Sequence, residues 1–205
     1  MKLYRFLLFF IMLLDLLHAQ LIDNTLLDKA EKKYDRFAKN RFIDINTTLL
    51  QELQDAKEIR KLNVVNTWVN QVRYASDKKV YNKSDYWATL YQFVGKNRGD
   101  CEDYTISKYY ILKALGVDPH RMKFAYVIYK NRRGKEISHM VLVYLKDLNP
   151  KSKDDILLLD NNNRRILPAS QREDIVKVIK MINGDTGAKS KKWKKLEANM
   201  KRKLL

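Results

Sequence analysis

The chain changes its hydrophobic period once, and that change limits the folds open to it. Before Gly116 the apolar residues keep helical spacing. Leu26, Leu27, Ala30, Tyr34, Phe37 and Ala38 make one stripe, Leu49, Leu50, Leu53 and Ala56 a second, and Leu62, Val65, Val69 and Val72 a third. After it, Met122 to Tyr129 and Ile137 to Leu145 are rich in aromatic and β-branched residues and flank Asn131-Arg132-Arg133-Gly134, a hairpin tip. Ile156 to Leu159 and Ile175 to Ile182 add further strands. Helices first and an antiparallel sheet second predicts an α+β fold. The 205 residues suffice for one domain with a real core, and 45% hydrophobic content excludes a disordered chain.

The last helical stripe runs through Tyr104, Ile106, Ser107, Tyr110, Ile111, Ala114 and Leu115. It begins in Gly99-Asp100-Cys101-Glu102-Asp103-Tyr104, which holds the only cysteine. Cys101 is therefore expected at the first turn of a largely buried helix. The free N–H groups and the positive end of the dipole there favour a thiolate. Three carboxylates on the same turn oppose it. One cysteine cannot form an intramolecular disulfide, and a lone thiol in an oxidising compartment is a liability, which points to a task.

Such a compartment is expected from the first residues. Lys2 and Arg5 precede the apolar run Phe6 to Leu14, and Ala19 offers a small residue before a cut ahead of Gln20. Residues 1–19 thus read as a signal peptide for export to the periplasm, with Asp15 interrupting any membrane-spanning run. Residues 20–183 read as one domain. Residues 184–205 read as a basic tail or a frayed helix around Trp193 and Leu196, solvated and dispensable for catalysis. The net charge of +17 would suit nucleic acid. An exported chain rarely meets nucleic acid, and the lysines are spread along the sequence, so no such partner is expected. Residues 73–83 are expected to be a loop, and Ser84-Asp85 to cap a short helix from Trp87 to Val94. Asn63, Asn66 and Asn70 read as exposed helix polars.

Cys101, His139 and Asp160 fall on a helix start, a strand and a strand end. A sheet packed on the cysteine helix could join them as nucleophile, general base and orienting carboxylate. Each also has a plainer account: a small buried residue, a hydrogen-bonded core histidine, and a turn-forming aspartate.

The motif Gly99-Asp100-Cys101-Glu102-Asp103-Tyr104, followed by Lys108-Tyr109, resembles the active-site motif of the bacterial transglutaminase-like cysteine proteinases, the LapG group. Ser138-His139-Met140-Val141-Leu142 is similar to the group's histidine strand, and Leu159-Asp160-Asn161 to its aspartate motif. Asp85-Tyr86-Trp87-Ala88-Thr89 and Ser170-Gln171-Arg172 with Asp174 resemble flanking motifs. Asn162-Asn163 departs from the family, which usually has an apolar residue there, and the basic C-terminal run does not map onto it. The resemblance, from about Leu62 to about Ile182, implies a papain- and transglutaminase-like fold and a periplasmic, calcium-dependent protease with Cys101, His139 and Asp160 as catalytic residues. It further implies an RTX-type surface adhesin, clipped near its N-terminus, as substrate, and sequestration by an inner-membrane cyclic-di-GMP receptor.

A bound cation would also account for the acids around Cys101, because it reverses their effect on the thiol. Their oxygen donors suit Ca²⁺ better than Mg²⁺, and Zn²⁺ would compete for the cysteine and histidine themselves. The family's calcium site falls on Asp100 and Glu102, with Asp103 a weaker candidate. Two other functions fit the same residues: acyl transfer to an amine, and a non-catalytic module that binds the cell envelope through its basic surface.

Overall fold

The computed structural model describes residues 21–183 and 191–205, so the signal peptide expected over 1–19 lies outside the described residues. Seven α-helices are found among them, together with a five-stranded antiparallel sheet. The expected α+β architecture is present, and local capping chemistry explains where its elements begin.

Helix α1 (Asn24–Lys33) starts where Asp23 accepts the Leu26 N–H at 2.8 Å, and α2 (Arg36–Asp44) where Asp35 accepts the Ala38 N–H at 2.6 Å. The stripe from Leu26 to Ala38 is thus two helices, because the Asp35 cap restarts the ladder. Helix α2 runs on into a π-helical stretch, Ile45–Gln51, that buries Ile45 and Leu49. Helix α3 spans Glu58–Val69. Residues 73–83 are not a plain loop. Strand β1 (Arg73–Tyr74) pairs in parallel with β2 (Arg98–Gly99), and a short helix α4 covers Asp77–Tyr81. Helix α5 (Leu90–Lys96) is capped by Thr89, not by Ser84-Asp85. The Thr89 hydroxyl accepts the Gln92 N–H at 3.0 Å, and the Gln92 side chain accepts the Thr89 N–H at 3.1 Å.

Helix α6 (Cys101–Ala114) is buried along most of its length and ends before Gly116, whose φ of +80° suits glycine. It packs against α3, α5 and the sheet. The sheet comprises β3 (Met122–Lys130), β4 (Glu136–Leu145), β5 (Ile156–Leu159), β6 (Leu167–Pro168) and β7 (Ile175–Asn183) in the order β6-β5-β4-β3-β7. Alternation sorts its side chains into two sets. Phe124, Met140, Leu142, Tyr144, Leu157 and Leu159 join the helices in the main core. Ala125, Val127, Val141, Val143, Leu145 and Leu158 form a second, smaller cluster.

Of the two readings of the C-terminal lysine run, the helix around Trp193 and Leu196 is the one found, and it is docked on the core instead of frayed. Lys191–Lys201 form α7, which turns Trp193, Leu196 and Met200 inward and leaves most of its lysines in water. The Trp193 ring lies 5.0 Å from Phe124 and 6.0 Å from Tyr109, and it stacks on Tyr110 at 6.5 Å. Beyond α7, the Leu204 carbonyl accepts the Thr89 hydroxyl at 2.6 Å, and the Leu205 carbonyl accepts Lys33 Nζ at 2.8 Å. The end of the chain therefore fastens to α1 and to the cap of α5. Trp193→Ala is expected to cost about 3–5 kcal/mol, the usual range for emptying a buried aromatic site. Urea unfolding measures it, and an unchanged midpoint would mean that α7 contributes nothing to the core.

Candidate active site

The turn before α6 is shaped by one buried carboxylate. Asp103 has no solvent exposure; it accepts the Ala88 N–H at 2.8 Å through one oxygen and the Asp100 N–H at 3.3 Å through the other. A Cβ at Gly99 would lie 2.6 Å from both Asp103 Oδ2 and Phe93 Cδ2, so this position admits only glycine without rearrangement. Cys101 follows, half-buried, at the first residue of α6.

Helix α6 is stitched to β4 at this end. The Thr105 hydroxyl lies 2.8 Å from the Cys101 carbonyl and 3.2 Å from the Met140 carbonyl. Strand β5 pairs with β4 from Leu142 to Leu145 only, so Met140 lies beyond the end of β5. The Met140 backbone N–H is turned to Cys101. Cys101 thus stands against the residue that follows His139.

His139, 6% exposed, is held from its other side. Its Nε2 lies 2.7 Å from Asp160 Oδ1, which leaves Nδ1 for a second partner. Asp160 Oδ1 also accepts the Asn162 N–H at 2.8 Å, and Oδ2 accepts Arg172 Nη2 at 2.7 Å. Arg172 is buried and bonded to Asp174 through Nε and Nη2, both at 2.8 Å. Burial alone would raise the Asp160 pKa, but the hydrogen bond and charge of His139, then Arg172 and the Asn162 N–H, hold it well below the usual carboxylate range. Lys108, on α6, is fully buried; burial lowers its pKa to about 7, against the opposing pull of Asp160. Asn162, the departure from the family pattern, places its side-chain nitrogen 3.3 Å from His139 Nε2.

Of Asn63 and Asn66 on α3 and Asn70 at its C-cap, the last two are not surface polars. Asn70 Nδ2 donates to the Asp160 carbonyl at 2.8 Å, and Asn66, fully buried, donates to the Arg164 carbonyl at 3.0 Å. They anchor the loop that carries Asp160. Only Asn63 remains exposed. Nothing local distinguishes the three, because the partners of Asn66 and Asn70 lie 90 residues or more away.

The acids divide into two overlapping groups. Asp100, Cys101 and Glu102 form one, and Asp77, Asp100 and Asp103 the other, each with ligand atoms within 4.8 Å of one another. In the first, Glu102 Oε2 lies 2.8 Å from Cys101 Sγ. Burial, and then the charge and hydrogen bond of Glu102, push the Cys101 thiol far up; the Met140 N–H works against them. In the second, Asp77 is new. It sits in the stretch that composition marks as a loop, where its Oδ2 accepts the Tyr86 N–H at 2.5 Å. Among the described residues, Asp77 Oδ1 and Asp100 Oδ1 are buried without hydrogen-bond partners. Burial pushes Asp100 up to about 9, with Glu102, Asp103 and Asp77 adding to it. Burial likewise raises Asp103 to about 8 and Asp77 above its ordinary value. Orphaned oxygens on crowded, desolvated carboxylates fit a hard divalent cation with oxygen ligands.

The family model of the bacterial transglutaminase-like cysteine proteinases matches residues 33–201. The chain belongs to this family. Among solved structures it is similar to Legionella pneumophila LapG, at 29% identity and a TM-score of 0.69 over 87% of this chain and 96% of that one. It also matches the calcium-bound form (27%, TM-score 0.67, 87% and 99%) and the EGTA-treated form (28%, TM-score 0.70, 86% and 96%) of that protein. Comparison with curated proteins gives no match. The fold is the transglutaminase-like fold, and this proteinase is of the LapG group.

The acid cluster makes a signed prediction for the metal-free proteinase. Burial pushes Asp100 up to about 9 and Asp103 up to about 8, well above the ordinary carboxylate range. The folded state therefore keeps protons that the unfolded state has lost. Stability from these groups is full below about 4 and falls as pH rises towards 8 to 9. Asp160 and Asp174, both lowered, lose their contribution only in acid below that window. The melting temperature of metal-free protein is expected to fall between pH 5 and pH 9, and saturating Ca²⁺ to remove most of the fall. A metal-free melting temperature that rises across that range would contradict the crowded-carboxylate account.

Proposed function

We propose that the protein is a periplasmic, calcium-dependent cysteine endopeptidase that clips a large RTX-type surface adhesin near its N-terminus, and so governs attachment in a biofilm. The observation that carries the catalytic part is the chain of hydrogen bonds Arg172–Asp160–His139, whose histidine precedes the residue holding Cys101. Export by residues 1–19 and sequestration by an inner-membrane cyclic-di-GMP receptor belong to the same reading; the basic start and apolar run support the first, and the motif resemblance the second.

Cys101 Sγ attacks the scissile carbonyl as thiolate. His139 takes the thiol proton and returns it to the leaving amine. Asp160, kept ionised by Arg172, fixes the imidazole tautomer and offsets the charge that forms on the ring. Water then releases the acyl group from Cys101, with His139 as base. Asp77, Asp100 and Asp103 would hold the calcium ion, with Glu102 on the same turn. Bound there, the ion supplies positive charge that offsets the acids raising the Cys101 pKa.

Cys101→Ala is expected to abolish cleavage of an adhesin N-terminal fragment and to leave the melting temperature nearly unchanged. His139→Ala should be comparably inactive and should slow alkylation of Cys101 by iodoacetamide at neutral pH. Cleavage by Cys101→Ala would sink the thiol-protease assignment. EGTA should stop cleavage by the wild type and Ca²⁺ should restore it, with Mg²⁺ much poorer. Asp77→Asn and Asp100→Asn should each lose Ca²⁺ binding in calorimetry while Cys101, His139 and Asp160 remain. Full activity in EGTA would remove the metal from the mechanism.

A further inference from the structure

His139 forms part of the wall of an open cleft of about 470 Å³ whose other residues have no part in the chemistry above. Trp87, Tyr126, Ile179 and Ile182 give it apolar walls, and Lys180, Lys191 and Lys192 a basic rim. We propose that this cleft is a substrate subsite that takes a bulky apolar side chain of an extended peptide next to acidic residues. The inference rests on the protease reading of Cys101 and His139, and names the class of sequence they would act on.

Three features point to this occupant. First, β7 is an edge strand of the sheet, nine residues long and unpaired on its outer side among the described residues, with Val178 54% and Ile179 55% exposed. Such an edge invites pairing with an added strand unless something covers it. The register against β3 slips at Ile179, which falls between the paired residues Val178 and Lys180. Second, the cleft is continuous with His139, so whatever fills it lies close to the bond to be cut. If roughly round, a cleft of this volume is about 10 Å across, room for about three residues of extended chain at ~3.3 Å each. Third, charge is divided across the site. Glu102, Asp100 and Asp77 lie on the Cys101 side, and the lysines on the β7 and α7 side. Lys192 is paired with Asp85 and lies 5.5 Å from the Trp87 ring centre. Lys180 and Lys191 form no ion pair among the described residues, so their charge remains for a ligand. A second basic chain would meet repulsion here, whereas an acidic, apolar peptide meets both its complements.

Binding and cutting are measured separately. Short synthetic peptides carry a central leucine flanked by glutamates, by glutamines or by lysines. Their affinity for the Cys101→Ala protein in Ca²⁺ is read by fluorescence anisotropy. The glutamate peptide is expected to bind on the order of tenfold tighter than the lysine peptide, with the gap closing as salt is raised. Replacing the leucine by alanine, or Ile179 by serine, should weaken the glutamate peptide several-fold. Lys180→Glu with Lys191→Glu should reverse the preference, and the milder Lys180→Gln with Lys191→Gln should erase it. Equal binding of the three peptides, binding of none, or a preference that survives both lysine pairs would overturn the subsite. Wild-type protein then separates the two readings. Peptides cut without regard to charge would remove the subsite and leave the protease. Peptides bound in the expected order, with the adhesin fragment left uncut in Ca²⁺, would remove the protease and leave the subsite.

Discussion

Asp103 holds together the turn on which this structure depends. It lies near the start of α6, wholly out of water, and ties the Ala88 N–H of one segment and the Asp100 N–H of another to a single carboxylate. Gly99 can pass beside it only because it lacks a Cβ. From that fixed turn α6 projects Cys101 towards β4, and Thr105 fastens the helix to the Met140 carbonyl one turn on. A buried carboxylate is an expensive anchor unless its charge is met. Here Asp77 and Asp100, also desolvated, crowd the same place, which favours protonation of these acids or, in the proposed function, a bound cation.

The two halves of the site solve opposite electrostatic problems. On the Cys101 side, burial and then the Glu102 carboxylate push the thiol pKa up, and in the proposed function a bound cation offsets them. On the His139 side, burial would neutralise Asp160, yet His139, Arg172 and a backbone N–H keep it ionised. In the proposed mechanism, Asp160 thereby supports a positive imidazole when the thiol proton arrives. The two sides meet at β4, where β5 ends before Met140 and opens room for the cysteine helix.

Much of this was legible in the sequence because it is local. The period change around Gly116 fixed helices before strands, and Cys101 at a helix start, His139 on a strand and Asp160 at a strand end each follow from a few neighbouring residues. Boundaries followed less well where capping competed with periodicity, as at Asp35, which begins a new helix inside one apolar stripe, and at Thr89, which caps α5 in place of Ser84-Asp85.

What tertiary structure alone decided are the meetings of distant segments. Asn66 and Asn70 look like Asn63 until the Asp160 loop is laid against α3. Asp77 looks like any acid in a polar stretch until α4 is set beside the α6 turn. The lysines around Trp193 suggest a solvated tail until α7 turns that ring onto Phe124 and Tyr110. A helix or strand announces itself because its period is written in adjacent residues. Which face meets which depends on packing the whole core, and no short window of sequence contains both partners.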